Sequence, residues 1–453
     1  MSGRTAGEQA TTNFMNKKLI SMKQYASMNR RDFLKDAMLT GAAFGFPTIV
    51  PSAVFGQNPP NNRINMGLIG IGLMMGGHQS HMSNRPDVQV VAVCDVQRDR
   101  REKAKAAIER AYAQRAASGN YQGCEAYNEF ERIMERKDID AVVVVTPDHW
   151  HVPISVAAMR RGKDVYVQKP MSLTIREGRI LSDTAQQYGA ILQVGSQQRS
   201  ERAFRRACEI VRNGMIGQVH TIYAGLGEFP PPQTLPEEPI PDGFDYDRWL
   251  GPTPWYPFNR RRVEGNYGGG WRCFWDYGSR KNGDWGAHHF DIIQWALGMD
   301  DSGPVEFIPK GYAGALYQTH IYANGTKVLR DHEIKLGHMI QFIGEKGEVL
   351  VSRGDRLDTT PAALKDVPPG PNDIRLYVSD QHEDNWVQCV KTRKTPICPA
   401  EIGHRTATIC HLSGIAERLK RPIKWDPAKE EIIGDSEASR WLDRPRRAPY
   451  TYV

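Results

Sequence analysis

Between about residues 64 and 194, the chain alternates short runs of β-branched residues with longer amphipathic stretches. Short, fully apolar runs predict buried strands, and stretches with apolar residues three and four positions apart predict helices. The predicted strands are 64–69, 88–93, 141–145, 164–167 and 191–194, and the predicted helices are about 98–117, 154–161 and 175–188. Because strand and helix alternate, we expect an α/β fold with a doubly wound parallel sheet and right-handed crossovers.

The pattern changes beyond about residue 200. A proline-rich loop occupies 229–241, and a stretch rich in glycine and aromatic residues occupies 249–277. Strand-like runs follow at 339–342 and 348–351. This order of segments predicts a C-terminal α+β domain with a largely antiparallel open sheet.

Domain boundaries follow from these changes of pattern. We expect a leader at 1–56, a linker rich in Pro and Asn at 57–62, a first domain at 63–190 and a second at 191–453. Residues 401–441 have helical patterning and are a candidate to pack back on the first domain. A chain of 453 residues is long enough for two hydrophobic cores.

The leader contains the run Asn29-Arg30-Arg31-Asp32-Phe33-Leu34-Lys35, which resembles a twin-arginine (Tat) export signal with Asn in place of Ser or Thr. The weakly apolar segment 37–55 follows, and Gly and Pro interrupt it, so a stable membrane span is not expected. We therefore expect a periplasmic or otherwise extracytoplasmic protein. The alternative is a disordered basic leader.

Charge and cysteine content exclude several classes of partner. The formal net charge is +7, but residues 1–56 hold seven basic residues against three acidic ones, so the remainder is nearly balanced. A balanced body argues against a nucleic-acid partner. The seven cysteines are scattered without a CxxC pair, so neither a disulfide framework nor a zinc ribbon is expected.

A glycine-rich turn follows the first predicted strand, with the sequence Gly70-Ile71-Gly72-Leu73-Met74-Met75-Gly76. Glycines allow the backbone to approach a pyrophosphate, and the N–H groups of the following helix can bind it. Asp95 ends the second strand at about the spacing expected for a ribose-binding carboxylate, which favours NAD. Because Arg98 lies nearby, NADP is the alternative cofactor. The expected cofactor contacts here are Gly70, Gly72, Leu73, Met74 and Asp95.

Asp284, His288 and Asp291 are spaced four and then three residues apart. At helical spacing they share one face, and the apolar residues after them predict a helix that starts near Asp284. Such a helix presents a proton-transfer pair to a cleft. A solvated aspartate at the start of a helix, followed by a structural histidine, is the alternative.

The order of these motifs resembles the Gfo/Idh/MocA oxidoreductase family from about Ile64 to Tyr450. The set consists of the glycine turn, Cys94-Asp95, Thr146-Pro147-Asp148-His149-Trp150-His151, Lys169-Pro170 and Asp284-xxx-His288. The resemblance implies a Rossmann domain that binds NAD(P), an open-sheet substrate domain and a homo-oligomer. It also implies that Thr146, Pro147, His151 and Lys169 contact the cofactor.

The resemblance implies catalytic roles for three residues. Lys169 would lie between nicotinamide and substrate, within Gln168-Lys169-Pro170, where the family has Glu in the first position. His288 would accept the hydroxyl proton, and Asp284 would orient His288 and touch the substrate. The chemistry agrees, because a neutral histidine with a carboxylate partner is a suitable base and a nearby ammonium stabilises alkoxide character.

The family commonly handles sugars and polyols, so we expect a carbohydrate-like substrate. Arg199, Arg272 and Tyr277 are candidate hydroxyl partners in addition to Asp284 and His288. The many aromatic rings of 249–277 are expected mainly to fill a core. His289 is expected to be structural, although a metal site made of Asp284, His288 and His289 is an alternative that we do not favour.

These features lead to three hypotheses. The first is an exported NAD(P)-dependent dehydrogenase or reductase that transfers hydride between nicotinamide and a sugar, glycoside or polyol hydroxyl. The alternative is a redox-neutral, NAD-dependent glycosidase or lyase that oxidises the sugar transiently. A third is a non-catalytic sugar-binding or scaffold protein that keeps a relic of the cofactor fold, and the joint presence of Lys169, Asp284 and His288 argues against it.

Overall fold

The computed structural model describes residues 63–265, 267–330 and 338–450. The predicted leader and linker at 1–62, with the export signal, therefore lie outside the described residues. Among the residues that are described, no helix is both long enough and apolar enough to cross a membrane. All seven cysteines are described, and all are buried and free of disulfide bonds.

The first part of the chain forms a six-stranded sheet in which every neighbouring pair is parallel, in the order β3-β2-β1-β4-β5-β6. The strands are β1 (Ile64–Ile69), β2 (Val88–Cys94), β3 (Glu125–Tyr127), β4 (Ala141–Val144), β5 (Asp164–Val167) and β6 (Leu192–Val194). The predicted doubly wound parallel sheet is confirmed. The short edge strand β3 was not predicted, because its three residues are partly exposed and lack an apolar run.

Helices cover both faces of this sheet. They are α1 (Met75–Asn84), α2 (Arg98–Ala111), α3 (Ala113–Ala117), α4 (Phe130–Glu135), α5 (His151–Arg160) and α6 (Ile175–Tyr188). The single helix predicted at 98–117 is divided at Tyr112, which leaves helical geometry. The Thr174 side chain caps α6 by accepting a hydrogen bond from the backbone of Glu177, and Gly189 ends the helix in the left-handed conformation.

The second part forms a nine-stranded sheet in the order β13-β12-β11-β7-β10-β9-β8-β14-β15. Among the described strands of this sheet, only β7 and β10 pair in parallel, so the predicted, largely antiparallel open sheet is confirmed. The strands are β7 (Val219–Ala224), β8 (Glu306–Ile308), β9 (Thr319–Ile321), β10 (Lys327–Arg330), β11 (Met339–Gly344), β12 (Gly347–Ser352), β13 (Arg356–Thr360), β14 (Ile423–Asp426) and β15 (Glu431–Ile432).

Helices of the second part connect the two sheets. They are α7 (Arg202–Arg212), α8 (Tyr246–Leu250), α9 (Arg260–Val263), α10 (Arg280–Asp284), α11 (Gly286–Leu297), α12 (His382–Thr392), α13 (Ala400–Leu419) and α14 (Ser436–Ser439). The long α13 packs against α6 of the first part, and Gly403 allows close approach to Val194 and Met171. One hydrophobic cluster includes residues of both sheets, so the two halves support the site between them as one packed body.

Candidate active site

The glycine turn leads from β1 into α1 with the geometry that a dinucleotide needs. Gly70 has a φ of +85°, and a Cβ there would lie 2.8 Å from the backbone of both Val145 and Thr146, so only glycine fits. A Cβ at Gly72 would meet no described atom within 4 Å, so that position is open. The turn can therefore bring backbone N–H groups close to a pyrophosphate.

Asp95 closes this turn from the end of β2. One of its carboxylate oxygens accepts a hydrogen bond from the Ile71 N–H at 2.7 Å, and the other accepts one from the Gln97 N–H at 2.8 Å. Burial raises the pKa of Asp95, against the opposing effects of Arg100 and of these two hydrogen bonds. Each oxygen keeps a second lone pair for a ribose hydroxyl. Arg98 pairs with Asp242, whereas Arg100 faces the cleft.

One cleft of about 860 Å³ runs from this turn to the helices α10 and α11, and we call it the active-site cleft. Nine predicted cofactor contacts line it: Gly70, Gly72, Leu73, Met74, Asp95, Thr146, Pro147, His151 and Lys169. At its other end lie Asp284, His288 and Arg272. The cleft therefore joins the nucleotide-binding turn to the predicted catalytic residues.

Lys169 and Asp284 form the link across the cleft. The Lys169 ammonium donates to the backbone carbonyl of Asp284 at 2.7 Å and to its carboxylate at 3.1 Å. Lys281 donates to the other carboxylate oxygen at 3.2 Å, and the Arg272 Nε lies 3.8 Å from the first. Burial opposes ionisation, but these three cations outweigh it and hold the pKa of Asp284 at about 2. Asp284 is therefore a carboxylate at neutral pH.

His288 faces the cleft as a neutral base. It is 5% exposed, and burial, together with the charges of Lys169 and Arg353, holds its pKa well below 6.5. Its Nδ1 has no hydrogen-bond partner among the described residues. The imidazole can therefore accept a proton at neutral pH.

Two of the three residues predicted to share a helix face line the active-site cleft, and the third does not. Asp284 ends the short helix α10 and His288 lies in α11, on either side of Trp285, whose backbone stays in the right-handed helical region. Within the described residues, no hydrogen bond joins Asp284 to His288, so Asp284 positions Lys169 rather than the imidazole. Asp291 turns away from the cleft and pairs with the Arg199 Nε at 2.7 Å.

Residues 64–196 match the oxidoreductase family's NAD-binding Rossmann fold, and residues 226–452 match that family's C-terminal alpha/beta domain. The chain belongs to the Gfo/Idh/MocA oxidoreductase family. The resemblance inferred from the ordered motifs is thereby confirmed.

Curated relatives of this Gfo/Idh/MocA protein match over part of their length. A glycosyl hydrolase family 109 protein of Solibacter usitatus is 34% identical over 152 residues, which is 33% of this chain and 34% of the relative. An inositol 2-dehydrogenase of Salmonella typhimurium is 27% identical over 195 residues, or 41% of this chain and 54% of the relative. The chain thus spans about half, or less, of the length of these relatives.

Solved structures share the fold. The aldose-aldose oxidoreductase of Caulobacter crescentus has a TM-score of 0.54 at 17% identity, covering 80% of this chain and 99% of that one. The scyllo-inositol dehydrogenase of Lactobacillus casei has a TM-score of 0.52 at 16% identity, covering 80% and 98%. At these identities the likeness shows the fold alone.

Two predicted substrate contacts of this family member are corrected. Arg199 is 1% exposed and is outside the active-site cleft, because its guanidinium is shared between Asp291 and Asp300, the latter at 2.6 Å. Tyr277 is completely buried in an aromatic core, where its ring centroid lies 4.8 Å from that of Trp249. Both side chains therefore have structural positions and do not line the cleft.

The remaining predicted contacts lie as follows. His151 places its ring nitrogens 2.7 Å from the Pro170 carbonyl and 2.9 Å from the Thr146 carbonyl, so it links two loops that line the cleft.

His289 is fully buried, in keeping with a structural role. No group of three or more His, Cys, Asp or Glu side chains in the described part of the chain is arranged to hold a metal ion.

Sequence reasoning missed two features of this Gfo/Idh/MocA site. Asp148 lines the cleft, and burial raises its pKa to about 7 although Lys169 and Arg272 lower it. Its place within the motif 146–151 was the available signal. The Gln168 amide donates to the His78 Nε2 at 2.7 Å, and the His78 Nδ1 lies 3.1 Å from a Glu383 oxygen. Glu383 is far away in the chain, so no local pattern indicated it.

Proposed function

We propose that this protein is an exported NAD(P)-dependent oxidoreductase that transfers hydride between nicotinamide and a sugar, glycoside or polyol hydroxyl. The observation that carries the proposal is the active-site cleft, which connects the glycine turn with Lys169, Asp284 and His288. Relatives named inositol 2-dehydrogenase support the CH–OH chemistry.

The cofactor end of the cleft fits a dinucleotide. The open position at Gly72 and the left-handed Gly70 leave room for the pyrophosphate, and Asp95 has lone pairs free for ribose hydroxyls. When bound, the nicotinamide would supply the hydride acceptor or donor. A carboxylate beside the ribose disfavours a 2′-phosphate, so NAD is the expected cofactor. NADP is the alternative, because Arg100 at the same end of the cleft could pair with its 2′-phosphate.

At the other end, the protein's own groups would handle the proton. The neutral His288 accepts it from the substrate hydroxyl as the carbon is oxidised. Two N–H bonds of the Lys169 ammonium go to Asp284, and the third remains available for the developing alkoxide oxygen. Asp284 fixes the position of that ammonium, and its three cationic neighbours keep it ionised.

Substituting Lys169 or His288 should lower turnover without loss of the bound cofactor. Lys169→Ala and His288→Ala should each lower NADH formation on a sugar and polyol panel by on the order of 10²- to 10⁴-fold, because each removes a proton-handling group. NAD occupancy, measured by native mass spectrometry, should persist. His220→Ala removes an exposed imidazole on β7 and should behave as wild type. A wild-type rate in either site variant would contradict the assigned role.

A redox-neutral glycosidase or lyase is the second candidate, and the similarity to glycosyl hydrolase family 109 proteins favours it. Such an enzyme would cleave a glycoside with no net NADH. Release of aglycone without NADH would support this candidate, whereas NADH formed in equal amount to oxidised sugar would support the first.

Export remains a proposal that rests on the run 29–35. Replacing Arg30 and Arg31 together with Lys should retain the protein in the cytoplasm of a host with a functional Tat system, as seen by fractionation. Unchanged export of that variant would contradict the Tat assignment.

A further inference from the structure

Arg353 presents a cation to the active-site cleft that the roles described above do not use. It follows strand β12 directly, and its exposed side chain lines the cleft together with His288 and Trp285. Its guanidinium carbon lies 4.6 Å from the centre of the Trp285 ring. The guanidinium is therefore at the substrate end, close enough to His288 to lower the pKa of that imidazole.

The surroundings of Arg353 hold it in place. The Trp285 ring also stacks on His338 at 3.7 Å and 9°, so the indole cannot rotate away without losing that contact. The Gln198 amide, oriented to satisfy both neighbours, donates to the His288 carbonyl at 3.2 Å and accepts from the Arg353 Nε at 3.2 Å. Gln198 thus links the Arg353 guanidinium to the backbone of His288, the proposed base. An arginine that is already ordered loses less conformational entropy when it binds an anion.

The charge around Arg353 is unbalanced toward positive. Among the described residues, no carboxylate lies within 4.0 Å of its guanidinium nitrogens. The Asp284 carboxylate is already shared by Lys169, Lys281 and Arg272. Glu201 lines the same cleft, where burial raises its pKa and Arg353 lowers it. Even with Glu201 and Asp148 counted beside Asp284, three carboxyl groups face the four cations Lys169, Lys281, Arg272 and Arg353. An anionic substituent would restore the balance.

We propose that the substrate is an acidic sugar whose carboxylate binds Arg353, a uronic or aldonic acid or a glycoside of one. The proposal rests on the proposed function, because it places the acid group of the sugar at Arg353 while its hydroxyl is at His288. A planar guanidinium matches a carboxylate through two parallel hydrogen bonds. A single such fork favours a carboxylate over a phosphoryl group, which proteins usually surround with several cations or backbone N–H groups.

Matched pairs of sugars test this proposal. Initial rates of NADH formation would be measured for glucuronate against glucose and galacturonate against galactose, at low ionic strength. We expect wild-type kcat/KM to favour the acid of at least one pair, and Arg353→Gln to reduce the acid-to-neutral ratio by roughly five- to tenfold. Arg353→Lys should recover only part of the ratio. Equal kcat/KM within every pair, or a preference for a sugar phosphate, would overturn the proposal.

A control variant and a binding measurement separate this proposal from the proposed function. Arg356→Gln removes a nearby arginine that pairs with Asp358 at 3.0 Å on β13, away from the cleft, and should leave the ratio unchanged. Calorimetry with protein in excess NADH would compare binding of each acid with that of its neutral partner. Acid binding that weakens in Arg353→Gln supports the carboxylate site even if no sugar is oxidised, in which case only the oxidoreductase proposal fails. Acid binding that is unaffected by Arg353→Gln contradicts the carboxylate site even if neutral sugars are oxidised.

Discussion

The two ends of the active-site cleft each contain a carboxylate, and the two are stabilised in opposite ways. Asp95, at the cofactor end, accepts two backbone N–H hydrogen bonds, and burial raises its pKa. Asp284, at the substrate end, lies among three cations, which hold its pKa at about 2. The cofactor end is thus built from backbone geometry, whereas the substrate end is built from charges on separate segments.

This difference matters for the chemistry of each end. A turn made of backbone N–H groups binds a ligand with constant charge and needs no titratable partner. Proton transfer needs groups whose ionisation is controlled, and at the substrate end an ionised Asp284, a cationic Lys169 and a neutral His288 lie together. Each end can therefore be perturbed separately.

Acid should have the largest effect on stability, and it should act through buried histidines. Among the described residues, six buried histidines have a pKa lowered by burial to about 4 or about 3: His149, His151, His289, His320, His382 and His411. Burial also holds the pKa of His288 well below 6.5. They stay neutral in the folded state but bind protons in the unfolded chain below about pH 6.5. The unfolding free energy should fall as pH decreases from about 6.5 toward 4, by up to about 1.4 kcal/mol per pH unit for each histidine.

Urea unfolding measured between pH 8 and 5 checks this prediction. The unfolding free energy should be nearly constant above pH 7 and should decline steeply below it. A flat profile down to pH 5 would mean that these imidazoles are protonated in the folded protein, and the neutral base assigned to His288 would lose its support.

Removing Arg199 should lower the stability of the protein, because Arg199 is the buried cation that pairs with Asp291. Arg199→Gln would leave Asp291 buried without its cation, and the expected loss is about 3–5 kcal/mol of unfolding free energy. Arg202→Gln removes an exposed ion pair with Asp355 and should change the unfolding free energy by less than about 1 kcal/mol. Unfolding in urea measures both. An Arg199 variant with wild-type stability and weakened sugar binding would restore the original prediction that Arg199 contacts substrate.

Gly70→Ala should perturb the cofactor end alone. The new Cβ would lie 2.8 Å from backbone atoms of Val145 and Thr146 at a left-handed φ, so we expect a cost of about 1–2 kcal/mol and at least about tenfold weaker NAD binding. Gly76→Ala lies in α1, where an added Cβ meets no described atom within 4 Å, and should keep NAD affinity. Fluorescence titration with NADH measures both. Unchanged affinity in Gly70→Ala would place the nucleotide elsewhere.

The same contrast explains how far the sequence alone could predict the site. The cofactor end consists of contiguous motifs, so the strands, the glycine turn and Asp95 were found from local spacing. Lys169, Asp284 and His288 were selected from ordered motifs and line the cleft. Residue type alone could not show that Arg199 finds its partners inside the protein, and helical spacing could not show that Asp291 is one of those partners. Arg353 and Glu383 reach the cleft through tertiary packing, for which no local pattern exists.

The central claim is that nicotinamide and a carbinol meet beside Lys169 and His288. Its most direct test uses a sugar panel deuterated at the carbinol carbons, incubated with protein and NAD, followed by mass spectrometry of the recovered cofactor. The account predicts one deuterium in the NADH formed by wild-type protein, and almost none from His288→Ala at equal NAD occupancy. Full NAD occupancy without deuterium transfer from any sugar, or transfer that persists in His288→Ala, would contradict it.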